Sequence, residues 1–135
     1  MSKKDNREEH DIIEVPLAGD PGTGSHYRAK GKVWVEKDGE VYMGWGRVEL
    51  LEQIDKLGSI AAAARQMKMG YRNAWLEVED MNRLAPRPLV IKMLGGAGGG
   101  QAILTAEGQK IINEYKDLRA RFQEFLSGLE NKNMS

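Results

Sequence analysis

The spacing of apolar and polar residues differs between the beginning of the chain and its middle. Between residues 32 and 43, two β-rich runs flank Asp38-Gly39, a pair that suits the positive φ angles of a tight turn. This pattern predicts a β-hairpin over residues 28–45. Residues 1–27 show no steady period and are dense in turn formers, so we predict a flexible N-terminal tail there.

From Gly46 onward the apolar residues follow the period of a helix. The first predicted helix carries its apolar stripe at Val48, Leu50, Leu51, Ile54 and Leu57. Gly58 is expected to end this helix, because glycine accepts the left-handed conformation, and Ser59 to cap a second helix. Four alanines at positions 61–64 favour that helix and are small enough to let two helices cross closely.

A third helix is predicted from Tyr71 to the prolines at positions 86 and 88. Trp75, Val78 and Met81 fall on one face of it, and we predict that this stripe belongs to the core. Two strands are expected next, at residues 89–94 and 102–104, around a glycine-rich tip at 95–100. A phosphate-binding loop is the weaker interpretation of this tip, because it lies between strands and lacks the Lys-Ser/Thr pair of nucleotide-binding loops.

The last predicted helix begins after Thr105, a plausible cap. Its apolar residues have heptad spacing, which indicates packing against another helix; they are Ile111, Tyr115, Leu118, Phe122, Phe125 and Leu129. This partner helix belongs either to the same subunit or to a second copy. A length of about 25 residues, roughly 37 Å, favours the second copy.

The predicted fold class is mainly α with a small β component. We expect a winged helix-turn-helix over residues 46–104 and a C-terminal dimerisation helix over residues 105–135. In such modules the first residues of the third helix enter the DNA major groove. Arg72 can bond bidentately to guanine and Asn73 to adenine. Tyr71 is expected either to touch a phosphate or to cover the turn.

Further contacts to double-stranded DNA are predicted one turn along the third helix and in the wing, where Lys92 stands at the base. The complete set of predicted DNA-contacting residues is Ser59, Tyr71, Arg72, Asn73, Leu76, Lys92, Gly96, Gly98 and Gly99.

Composition changes this interpretation little. The chain has 135 residues, of which 41% are hydrophobic, and its 20 basic and 20 acidic residues give no net charge. Bulk charge therefore does not indicate a polyanionic partner.

The absence of cysteine excludes a disulfide scaffold and a catalytic thiol. His10 and His26 have no spacing typical of a metal site, and no nucleophile stands beside a base, so we expect neither an enzyme nor a cofactor. Without a long apolar run, we expect a cytoplasmic protein with no membrane contact.

Several segments, in the same order, resemble the N-terminal DNA-binding domain of the molybdate-responsive regulators, the ModE family, which is related to LysR-type winged helices. These segments lie at residues 58–65, 70–75, 81–82, 88–90 and 95–100. The resemblance runs from Gly46 to Thr105 and through the helix after it, which is about two-thirds of the chain. The resemblance implies a homodimer, formed through the first and last helices, that reads a palindromic operator.

The sequence also departs from the family pattern. Ile91-Lys92 and Ala97 replace charged residues that are usual in the wing, and Gly70 replaces a serine at the start of the third helix. Full-length regulators carry a molybdate-binding domain after this one, and we expect none in the present chain. The neutral wing keeps open an alternative function, an interaction module that has retained the fold and lost DNA binding.

Overall fold

The computed structural model describes residues 11–17, 27–93 and 101–131. These residues form four helices and three two-stranded antiparallel sheets. The strands are β1 (Ile13–Leu17), β2 (Tyr27–Gly31), β3 (Val35–Lys37), β4 (Glu40–Met43), β5 (Val90–Met93) and β6 (Gln101–Leu104). The helices are α1 (Trp45–Leu57), α2 (Ile60–Gln66), α3 (Tyr71–Leu84) and α4 (Ala106–Asn131). Two compact units are present: residues 34–115 form one, and the described residues before and after them form the other.

The core of the larger unit forms around α1, α2 and α3. Helix α1 contacts α2 and β6, and α2 contacts α3. Leu50, Leu51 and Ile54 of α1 are fully buried, as are Val78 and Met81 of α3. The predicted period of the three helices is therefore confirmed, except at two positions: Leu57 at the end of α1 is 41% exposed, and Trp75 of α3 is 37% exposed.

Helices α2 and α3 pack against each other, and both bury alanine side chains. Ala63 and Ala64 of α2 are buried, and so is Ala74 of α3. Since a single methyl group projects from each of these positions, the two backbones can approach closely. The last two alanines of the run are thus buried, and their role in a close crossing stays a prediction.

The predicted helix caps are confirmed. Gly58 follows α1 with φ at 70°, and its N–H donates to the Ile54 carbonyl at 2.7 Å. The Ser59 hydroxyl accepts from the Ala62 N–H at 3.1 Å. Thr105 caps α4 by accepting from the Gly108 N–H at 3.0 Å, and its hydroxyl donates to the Pro88 carbonyl at 2.7 Å.

The turn between α2 and α3 has a geometry that the sequence did not reveal. Lys68 adopts the left-handed conformation, with φ at 55°. Its N–H donates to the Arg65 carbonyl at 3.1 Å, and the Met69 N–H donates to the Ala64 carbonyl at 3.0 Å. These two bonds form a Schellman motif, in which glycine is the usual left-handed residue.

The hairpin predicted over residues 28–45 is present between residues 35 and 43, whereas residues 28–31 belong to β2 and pair with β1. The second predicted hairpin, around the glycine tip, is also present. Strands β3 and β4 are joined by Asp38 and Gly39, which have φ angles of 51° and 83°. Strands β5 and β6 pair so that Lys92 lies opposite Ala102. The chain before α2 joins this second sheet through a bridge between Ser59 and Gln101. The glycine tip, with the predicted DNA contacts Gly96, Gly98 and Gly99, lies outside the described residues.

Asn82 connects α3 to β5. Its side-chain oxygen accepts from the N–H groups of Leu89 at 2.8 Å and Val90 at 3.1 Å. Its side-chain nitrogen donates to the Val90 carbonyl at 2.9 Å. One side chain therefore satisfies three backbone groups at the start of the hairpin.

The prediction of a loop-rich tail over residues 1–27 is wrong for β1. This strand pairs with β2, and Ile13 and Val15 are only 3% and 4% exposed. They pack with Leu126 and Phe122 of α4. A strand of five residues is too short to reveal a period, and its packing partners come more than 100 residues later.

The buried apolar residues of α4 differ from the predicted heptad series. Tyr115 is buried, but so is Ile112, which does not belong to the heptad series. Leu118 is 37% exposed and Phe125 is 65% exposed. The side chain of Leu129 lies outside the described part of the chain.

In the described ranges, no helix combines the length and apolar character needed to cross a membrane.

Replacing Gly108 with alanine should destabilise the protein. A β-carbon at this position would lie 2.5 Å from the Leu89 carbonyl oxygen, so α4 would have to move away from the chain before β5. We expect a loss of about 1–3 kcal/mol in the free energy of unfolding, measured by urea denaturation. Gly128→Ala is the matched control, because a β-carbon there meets no neighbouring atom and should add about 0.5–1 kcal/mol. Equal effects at the two glycines would contradict the proposed close approach.

Replacing Asn82 with alanine should also lower stability, by about 1–3 kcal/mol, because the N–H groups of Leu89 and Val90 would lose their acceptor. Chemical denaturation of Asn82→Ala beside Asn73→Ala tests this expectation. Asn73 is exposed on the same helix, and its replacement should change stability by no more than about 0.5 kcal/mol.

Candidate nucleic-acid interface

Helix α3 has one buried side and one exposed side. Ala74, Val78, Met81 and Leu84 are buried against the core. With 3.6 residues per turn, Arg72 and Leu76 lie on the opposite side of the helix from this buried stripe. The packing of α3 therefore determines which of its side chains face outward.

The predicted site residues of α3 lie together on its first two turns. Arg72 and Asn73 are exposed, Tyr71 is 50% exposed and Leu76 is 42% exposed. We call these four residues the α3 outer face. It combines a guanidinium, an amide, a phenol and an isobutyl group, which together can recognise hydrogen-bonding and apolar groups on a ligand.

The start of α3 carries no capping side chain. Gly70 precedes the helix in an extended conformation, with φ at −66° and ψ at 142°, and makes no side-chain cap hydrogen bond. The backbone N–H groups of the first turn thus lie at the positive end of the helix dipole. Such a terminus favours a negatively charged group nearby.

Trp75 does not belong to the core, contrary to the sequence-based prediction. Its side chain is 37% exposed, and the Lys92 ammonium lies 4.2 Å from the centre of its ring. Lys92 also forms an ion pair with Glu79. Aromatic residues at helical spacing suggest burial, but here the ring packs beneath a cation from the neighbouring strand.

This contact gives Lys92 a role that the sequence did not predict. The ammonium is held between Trp75 and Glu79 of α3, so it links β5 to the helix. Partial burial lowers the pKa of the Lys92 ammonium. Its contact with a DNA phosphate stays a prediction, as does the DNA contact of Ser59, whose hydroxyl caps α2.

Two further basic residues precede the α3 outer face. Arg65 near the end of α2 and Lys68 in the turn are exposed, like Arg72. No ion pair of these three residues occurs within the described part of the chain. Residues 59–76 contain these three basic residues and no acidic one. Counting charges over these 18 residues alone would have revealed the local excess of positive charge. Counts over longer segments include neighbouring acidic residues and conceal it.

Two acidic residues in the second half of α3, Glu79 and Asp80, have basic partners. Glu79 pairs with Lys92, and Asp80 lies 3.3 Å from Arg83 and 3.6 Å from Arg47. These pairs reduce the negative potential that the carboxylates would otherwise place beside the α3 outer face.

The hairpin of β3 and β4 is attached to the same end of α3. Arg83 forms two hydrogen bonds to the Glu40 carboxylate, at 2.8 and 3.1 Å, and thereby lowers the pKa of Glu40. The Lys37 ammonium donates to the Leu84 carbonyl at 3.1 Å. Arg47 donates to the carbonyls of Val41 and Tyr42. The hairpin, to which the sequence assigned no role, thus supports the C-terminal half of α3.

The described residues include no group of three or more His, Asp or Glu side chains arranged to hold a metal ion. The side chains of the α3 outer face themselves offer hydrogen bonding, apolar contact and positive charge.

Comparison with known proteins finds relatives at about 40% identity. The chain is 40% identical over 86 residues to the molybdenum transport protein ModE of Azotobacter vinelandii, which covers 64% of this chain and 32% of that protein. It is 40% identical over 109 residues to the molybdenum-pterin-binding protein MopB of Rhodobacter capsulatus, or 81% of this chain and 40% of that protein.

A third relative is the DNA-binding transcriptional dual regulator ModE of Escherichia coli K12. The identity is 41% over 78 residues, which are 58% of this chain and 29% of the relative. No protein-family model matches the chain. The chain spans about a third of the length of the curated relatives it matches. The resemblance to ModE proteins is thus confirmed as sequence similarity over more than half of this chain.

Proposed function

We propose that this protein is a sequence-specific DNA-binding transcriptional regulator of the ModE family. It binds a palindromic operator in double-stranded DNA as a homodimer, and it is not an enzyme. The observation that carries this proposal is the α3 outer face, where Arg72 and Asn73 are exposed beside a segment with three basic residues and no acidic one. The similarity to proteins named as transcriptional regulators supports it.

The arrangement of elements supports a winged helix-turn-helix. Helices α1 to α3 are followed by the β5–β6 hairpin, and the bridge from Ser59 to Gln101 adds the chain before α2 to that sheet. In this module α3 is the recognition helix and the hairpin is the wing. The exposed first two turns of α3 then enter the major groove.

Base recognition falls to Arg72 and Asn73. Arginine can donate two hydrogen bonds to guanine, and asparagine can bond to both the acceptor and the donor of adenine. Both side chains are exposed at the first turn of α3, where recognition helices approach base edges.

Basic side chains before α3 and backbone N–H groups at its start make the proposed phosphate contacts. Arg65 and Lys68 are exposed just before the recognition helix, and the first N–H groups of α3 have no capping side chain. Each phosphate neutralised by a cation steepens the salt dependence of binding, by about 0.9 in the log–log slope. Tyr71, Ser59, Lys92 and the glycines of the wing tip complete the proposed contact set.

The proposed dimer forms mainly through α4. Leu118 and Phe125 are seven residues apart, so they lie on one side of this helix, and both are exposed. Burying two such side chains against a second copy removes apolar surface from water. Helix α1 offers less, since its buried residues Val48, Leu50, Leu51 and Ile54 face its own core.

A selection from random duplexes tests the proposed function. The relatives' names refer to molybdenum, so DNA upstream of molybdenum-transport genes is a suitable second probe. We expect one palindromic sequence to be enriched, with half-site centres about 34 Å apart or a multiple of that distance. Affinity should fall steeply with salt. A protein for which no sequence is enriched even at low salt would be better described as an interaction module that has lost DNA binding.

Replacing Arg72 with alanine should relax specificity at one base position in each half-site. The lost bidentate contact corresponds to about 1–3 kcal/mol of discrimination between the correct base and the others. The measurement is a competition of single-base operator variants against the wild-type and Arg72→Ala proteins. An unchanged base preference would remove Arg72 from the set of base-reading residues.

Replacing Lys68 with glycine should raise stability and weaken DNA binding. The left-handed conformation of Lys68 is easier for glycine, so the free energy of unfolding should increase by about 0.5 kcal/mol. The log–log salt slope should become shallower by about 0.9 for each phosphate contact that is lost. Lys68→Arg keeps the charge and should keep the slope. A Lys68→Gly protein with an unaltered slope would show that Lys68 does not contact phosphate.

Replacing Phe125 with glutamate should prevent dimerisation, because a carboxylate would then have to be buried in the proposed interface. We expect the wild-type protein to sediment as a dimer and Phe125→Glu as a monomer with unchanged helix content by circular dichroism. Gln123→Glu introduces the same charge at an exposed polar position of α4 and should remain dimeric. A dimeric Phe125→Glu protein would place the interface elsewhere.

A further inference from the structure

Leu76 is an exposed apolar side chain in the middle of the α3 outer face. It is 42% exposed, although the same helix buries Ala74 and Val78 completely. Leu76 is two residues from each of these, which corresponds to about 200° of rotation around the helix axis. Its side chain therefore faces away from the core, and packing within the domain does not explain why leucine stands there.

The position of Leu76 relative to Arg72 is defined by the helix. The two residues are four apart, so they lie on the same side of α3, about 6 Å apart along the axis. Trp75, which precedes Leu76, contacts Lys92 of the hairpin and flanks the outer face on one side. A ligand bound by Arg72 along this face thus meets the isobutyl group of Leu76 one helical turn further.

The chemistry of the major groove determines what such a group can recognise. Leucine has no donor or acceptor, so it cannot bond to the polar edges of guanine, adenine or cytosine. Thymine presents the C5 methyl group, the apolar group of the major-groove base edges. We infer that Leu76 contacts the C5 methyl of a thymine and thereby specifies a T·A pair. This pair lies close to the base read by Arg72, because the two side chains are separated by only one turn of α3, about 6 Å. This inference rests on the proposed DNA-binding function.

The experiment replaces thymine with uracil, one position at a time, in the operator selected by the wild-type protein. Uracil keeps every hydrogen-bonding group of thymine and lacks the methyl group alone. Burying one methyl group corresponds to roughly a fourfold change in the dissociation constant. We therefore expect one thymine in each half-site at which uracil weakens wild-type binding by about fourfold.

Leu76 variants assign this effect to the side chain. In Leu76→Ala, uracil at that position should have no further effect on affinity, whereas Leu76→Met should retain the sensitivity. Arg72→Ala should also retain it, since that variant loses a different base contact. Val41→Ala is the matched control, because Val41 is an apolar residue of β4 that is 47% exposed and lies outside the α3 outer face.

The results that would overturn the inference differ from those that would overturn the proposed function. If an operator is selected and uracil is tolerated at every position, Leu76 does not recognise a methyl group. If Leu76→Ala keeps the same uracil sensitivity, another residue contacts that thymine. If no operator is selected and a protein partner instead binds the α3 outer face in a Leu76-dependent manner, the proposed DNA-binding function itself fails.

Discussion

The packing of α2 against α3 is the constraint on which the candidate interface depends. The two helices pack against each other, and Ala63 and Ala64 of α2 are buried, as is Ala74 of α3. Larger side chains at buried positions like these would force the surrounding helices to shift. Because one side of α3 packs against α2 and the rest of the core, the other side must face outward. The outward direction of Arg72 and Leu76 is therefore a consequence of small side chains that have no functional chemistry of their own.

Polar contacts then hold the two flanks of α3. On one flank Lys92 lies over Trp75 and pairs with Glu79, which connects the helix to β5. At the C-terminal end Arg83 joins Glu40 of β4. Lys92 pairs with Glu79, and Arg83 and Arg47 pair with Asp80, so ion pairs that position the helix also neutralise two acidic groups of its second half and reduce repulsion of a polyanion. Asn82 adds an uncharged connection between the helix and the hairpin.

Helix α4 shows how one amphipathic pattern serves several contacts. Its apolar residues have near-heptad spacing, yet Ile112 and Tyr115 are buried within one compact unit, and Leu126 and Phe122 pack with Ile13 and Val15 in the other. Leu118 and Phe125, by contrast, are exposed. A heptad pattern establishes that a helix has partners, but it does not distinguish a partner in the same chain from one in a second copy.

The sequence by itself determined the three helices of residues 45–84, the cap of α2 at Ser59, the cap of α4 at Thr105 and the two hairpins. Helix period, capping side chains and tight turns act over only a few residues, so a local pattern is enough to reveal them. It also determined the exposed position of Arg72 and Asn73, since polar residues opposite an apolar stripe face water. Only the tertiary structure decided that Trp75 lies under Lys92, that Ile13 and Val15 form a buried strand, and that Arg83 holds the β3–β4 hairpin. Each of these depends on a partner from a distant part of the chain, and no local pattern specifies which distant residues will meet.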